Sequence, residues 1–166
     1  MPVPIINKTS WKIFVTVHMQ KHQYSLQPTS SPTDESTSSS LLCNNKPTGI
    51  TLSGCVLEHV HVYSNKTLLI LSDGVVFEEQ LHLYLLDLDN TILDTARISA
   101  PYCDGIFHLS SDSTANTCHF LFIGNGLWHI TILDRYQWRR PFSEPYGVHR
   151  QWGWRQAFSV SYNNMK

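Results

Sequence analysis

Apolar residues along the chain gather in short runs of strand length, broken by residues that favour turns. Trp11 to His18, rich in β-branched and aromatic side chains, predicts a first strand continuing to Leu26. Two apolar runs, Leu68 to Leu71 and Phe120 to Ile123, stop at Ser72-Asp73-Gly74 and Gly124-Asn125-Gly126. Asp-Gly and Asn-Gly supply the positive φ that tight hairpins need, so each marks a strand end. Leu81 to Leu86 and Trp128 to Leu133 follow as return strands, each closing on an aspartate. No window sustains helical apolar spacing behind a capping residue. The expected fold is therefore all-β and antiparallel.

Between Pro28 and Ser40, nine of thirteen residues are Ser or Thr. Such a segment has almost nothing to bury against the entropy of ordering it. The pattern predicts one β domain over residues 1–166 with a disordered Ser/Thr-rich loop at 28–48. Phosphorylation would give that loop a regulatory role, whereas a plain solvated insert needs none.

The second half repeats. His61 to Thr67 lines up with His108 to Thr114, and His82 to Asp87 with His129 to Asp134, both at an offset of 47 residues. Constant ends around a variable middle are what duplicated strand units with different hairpin loops would leave. Over about residues 56–135 the chain resembles β-propeller repeat proteins, in the apolar strand ending Ser-Asp-Gly, the return strand ending Leu-Asp-Leu-Asp, and the last strand Ile92 to Ile98. The resemblance implies two blade-like units. Two blades cannot close a ring. The expectation is two related strand units packed as a sandwich or partly open barrel, or two propeller-like blades added to a partner.

Composition narrows the class further. Twelve basic and thirteen acidic side chains give a formal charge of −1, so nothing global attracts nucleic acid or an anionic membrane. Met1 to Lys8 lacks a basic flank followed by an apolar export run, and the apolar stretches are too short to span a bilayer. A cytoplasmic or nuclear protein is expected. Cys43, Cys55, Cys103 and Cys118 occur singly, as reduced thiols used as small hydrophobes would.

Three constellations could carry chemistry. Leu85 to Asp94 contains D-x-D-x-T and looks like the first motif of haloacid-dehalogenase-type phosphatases. That resemblance implies Asp87 as nucleophile, Asp89 as acid/base and a Mg²⁺ ion. The family's later cation and acidic pair have no counterpart, since after Asp89 the only lysine is Lys166. The competing expectation is a strand closing on an Asx turn. His59 and His61 form an H-x-H that one strand face would present together, as in cupins. Ser64 to Leu71 contains no Glu or Asp to join them, so two structural histidines are expected and no metal or cofactor. Cys118 beside His119 is not a nucleophilic pair, because strand neighbours point to opposite faces.

The third constellation is the C-terminal stretch. Residues 134–156 hold five arginines, two acids and a series of aromatics, a local charge of +3. Trp, Tyr and Arg dominate binding hot spots, since they bury large areas with few rotors. The same mix can close a core while its arginines reach water, or stack on bases. The expected function is a non-catalytic protein-interaction module that binds a partner protein, in a homo-oligomer or a larger complex. The expected surface comprises Trp138, Arg139, Arg140, Trp152, Trp154 and Arg155, with nucleic acid a minor alternative. Trp152-Gly153-Trp154 is expected as a strand with both indoles on one face.

Overall fold

A computed structural model describes residues 23–29, 37–74, 80–101, 105–140, 142–151 and 153–164. The strand expected at residues 11–18, Cys103 and Trp152 lie outside them. Among the described residues there is no helix, and hence none able to cross a membrane.

Among the described residues, twelve strands make three antiparallel sheets. The first sheet runs β1-β2-β3, from β1 (Tyr24–Pro28), β2 (Ser38–Cys43) and β3 (Lys46–Ser53). The middle sheet is ordered β11-β7-β6-β5-β4, from β4 (Val56–Tyr63), β5 (Lys66–Ser72), β6 (Leu81–Leu86), β7 (Ile92–Ile98) and β11 (Val148–His149). The third is ordered β12-β10-β9-β8, from β8 (His108–Leu109), β9 (Thr117–Leu121), β10 (Gly126–Trp138) and β12 (Arg155–Asn164). The all-β expectation holds. The packing is sandwich-like, with three sheets rather than two, and among the described residues no sheet closes into a barrel.

The alternation of a strand explains why the middle sheet lies between the others. Side chains i and i+2 share a face. Leu68 and Ile70 of β5, with Leu81, Leu83 and Leu85 of β6, meet Phe120, Trp128, Ile130 and Phe158 of the third sheet. Leu69 and Leu71 point the other way and meet Tyr24, Leu41 and Leu52 of the first. A strand buried on both faces reads as a continuous apolar run, as Leu68 to Leu71 does. Lys66 adds a polar tie by donating to the carbonyl of Leu133, and the Tyr63 hydroxyl donates to Asp134 at 3.0 Å.

The expected loop at 28–48 is corrected in part. Residues 30–36 lie outside the described set, but Ser38 to Lys46 is a hairpin. Ser39, Leu41 and Cys43 alternate inward, and Asn44 and Asn45, at φ 51° and 62°, supply the two left-handed residues of its turn. Serine composition masked a period-2 pattern there.

In both β4 to β7 and β8, β9, β10 and β12, successive strands lie side by side in one sheet. The third meander differs in a long excursion between β10 and β12. This excursion sends β11 back to the edge of the middle sheet, where Val148 pairs with Ile98. Gly147 makes the return possible. At φ 87° its backbone lies so close to β7 that an added Cβ would stand 2.9 Å from the Ser99 carbonyl.

Candidate functional site

The Arg/aromatic stretch occupies that excursion and the strand ends flanking it. β10 and β12 pair from Gly126 to Ile132, break register, and pair again at Gln137 with Gln156 and Trp138 with Arg155. Beyond Leu133 every residue of β10 is exposed, so the hairpin end projects past the core.

An ionic frame holds the excursion in place. The Arg150 side chain is only 2% exposed. One of its terminal nitrogens donates to Asp94 Oδ2 at 3.0 Å, the other to the Phe158 carbonyl at 2.9 Å, and its Nε lies 2.7 Å from Glu144. The guanidinium also covers the Phe158 ring, 4.2 Å from its centre. Asp94 Oδ2 accepts the Ala157 amide at 2.7 Å. Asp94 and the Phe158 carbonyl give the buried guanidinium the hydrogen bonds a buried charge needs, while Nε and Glu144 Oε1 meet as an ion pair without hydrogen-bond geometry. The frame continues to Arg139, which lies 3.8 Å from Glu144 and donates to the carbonyls of Gln151 and Gly153 at 3.2 and 2.6 Å.

Outside this frame stand the aromatics. Trp138 is 75% exposed, Tyr146 86% and Phe142 wholly so, with Tyr136 and Trp154 about half exposed. Arg155 lies over the Trp138 ring at 5.7 Å, and the Tyr136 hydroxyl donates to the Leu93 carbonyl at 3.3 Å. A cleft of about 230 Å³ runs beside them, lined in part by Leu93, Thr95, Gln151 and Arg155. Of the expected surface residues, Trp138, Arg140, Trp154 and Arg155 are exposed, whereas Arg139 is turned inward to hold the excursion. The expected Trp152-Gly153-Trp154 strand is corrected, because β12 begins at Arg155 and Gly153 and Trp154 precede it. Asp94, Glu144 and Arg150 are the residues that sequence reasoning missed. Nothing local separates a buried arginine from a surface one.

The D-x-D-x-T segment is not arranged for phosphoryl transfer. Its strand, β6, pairs antiparallel with both β5 and β7. Asp87 Oδ1 instead accepts the amides of Asp89 at 3.0 Å and Thr91 at 2.8 Å, with Asn90 left-handed at φ 64°. This is the Asx turn of the competing expectation.

Cys118 and His119 face opposite ways, as expected. His119 meets His129 edge-on with ring centres 4.4 Å apart, while Cys118 is fully buried. Burial pushes the Cys118 thiol up to about 12, against a smaller opposing effect of the Ser113 hydroxyl. At neutral pH it is a poor nucleophile. Its neighbours are His59 and His61, a juxtaposition that no sequence spacing signalled. Comparison with protein-family models, curated proteins and solved structures returned no match.

Proposed function

We propose that this chain is a non-catalytic protein-interaction module whose docking surface is the β10–β12 hairpin end together with the 139–151 excursion. The observation that carries the reading is the contrast within one segment. Arg150 is held at 2% exposure by paired carboxylates, while Trp138 on the adjoining strand is 75% exposed. Aromatic side chains held out by a stiff frame lose little entropy on binding. Single exposed apolar residues are ordinary, but five large aromatics on one excursion and its flanks are not.

The charges specify the partner's chemistry. Arg135, Arg140 and Arg155 are exposed, whereas Arg139 and Arg150 are neutralised by Glu144 and Asp94. A partner protein with an apolar centre and an acidic rim fits best, and rim charges act mainly on association rate. Reversing one rim charge tests the proposal. Arg140→Glu should slow association with a partner protein captured by pull-down from the native source with the full chain as bait, and flatten its salt dependence, measured by surface plasmon resonance at two ionic strengths. Association kinetics identical to wild type at both would count against it.

A further inference from the structure

At the seam between the middle and third sheets three metal-ligating side chains converge. His59 and His61 lie two apart on β4 and so share a face. Their cross-strand partners, Ile70 and Leu68, belong to the core between these sheets. Cys118 enters the same space from β9. One ligand atom from each of the three lies within 4.8 Å of the other two.

The surroundings suit a metal. His61 Nε2 lies 2.9 Å from the Ala115 carbonyl, the kind of bond that orients a ligating imidazole through its other nitrogen. His59 stacks on Phe107 with ring centres 6.4 Å apart.

We propose that His59, His61 and Cys118 bind one zinc ion that clamps β4 to β9. Two imidazoles and a thiolate are the donors of a borderline-soft cation, and this group holds no carboxylate of the kind that magnesium or calcium prefers. Zn–N bonds of about 2.0 Å and a Zn–S bond of about 2.3 Å set ligand atoms roughly 3.5 Å apart in a tetrahedron, so closure asks for side-chain rotation of about 1 Å. The Cys118 thiol gives its proton to solvent as the Zn–S bond forms. Three protein ligands leave the fourth position to water or an incoming donor.

The test uses the full chain, stripped with chelator and titrated with Zn²⁺ by calorimetry and with Co²⁺ by absorption. Wild type should bind Zn²⁺ with a stoichiometry of about one, and Co²⁺ should give a thiolate charge-transfer band. Cys118→Ser should abolish that band. Cys118→Ser and His59→Ala should each weaken Zn²⁺ more than about tenfold, whereas His119→Ala, on the opposite face of β9, should change neither. Zn²⁺ should raise the unfolding temperature of wild type and not of Cys118→Ser. Cys118→Ala covers the case in which serine fails to fold. No Zn²⁺ binding by wild type, a cobalt spectrum without thiolate character, or loss of binding in His119→Ala would each overturn the proposal.

Discussion

Asp94 and Arg150 stand 56 positions apart, and each supplies what the other's burial requires. Removing one partner of such a pair leaves a charge without compensation, at a cost of about 3–5 kcal/mol. Arg150→Ala should therefore lower the unfolding free energy by about that much in chemical denaturation. It should also speed proteolysis within 139–151. Arg140→Ala, an exposed change, should stay within about 0.5 kcal/mol of wild type. Asp73 offers a pH-dependent counterpart. Burial pushes its carboxyl up, but hydrogen bonds from His82 at 2.9 Å and Thr37 at 2.6 Å, with the charges of His82 and Arg97, outweigh this and hold it below the usual range. A depressed folded value means that the ionised form stabilises the fold. That contribution is complete above about pH 4 and fades as pH falls through the folded value. The stability gap between wild type and Asp73→Asn should be flat from neutral pH to about 4 and shrink below it, as denaturant titrations across pH would show.

Among the elements, those announced by uninterrupted apolar runs were legible and those hidden by polar composition were not. Leu68 to Leu71 and Leu81 to Leu86 declared β5 and β6, and Ser72-Asp73-Gly74 marked the end of β5. β2 failed the same test because Ser38, Ser39 and Ser40 read as a solvated tract, although Ser39 is fully buried. The signal that could have found it was Leu41, Cys43 and Leu52 around Asn44-Asn45, a hairpin pattern diluted by serine. The geometry of that sheet supports a prediction. Pro28 pairs with Ser39, and the Thr29 amide donates to the Ser38 carbonyl at 3.0 Å, so the two strands are already adjacent where residues 30–36 connect them. Replacing 30–36 by Asn-Gly should leave the circular dichroism spectrum unchanged and the unfolding free energy within about 1 kcal/mol, since loop-closure entropy varies slowly with length. Loss of cooperative unfolding would show that the connection is part of the core.

For the whole molecule, the all-β antiparallel class followed from periodicity, because that is a local property of the chain. Which faces meet is not local. The meeting of Cys118 with His59 and His61, and the burial of Arg150 while Trp138 stays exposed, depend on how the sheets stack. The candidate surface was thus legible in composition but not in its division of labour, where Arg139 and Arg150 hold the frame and Trp138, Trp154 and Arg155 face outward. The measurement that tests this division most directly is the affinity of the captured partner for Trp138→Ala, read beside the unfolding midpoint of the same variant. Leu88→Ala, at a 56% exposed residue of the β6–β7 turn, is the control. The surface reading predicts that Trp138→Ala loses about 2 kcal/mol or more of binding with an unchanged midpoint, while Leu88→Ala loses neither. Undiminished affinity in Trp138→Ala, or a fall in its midpoint matching a core truncation, would contradict it.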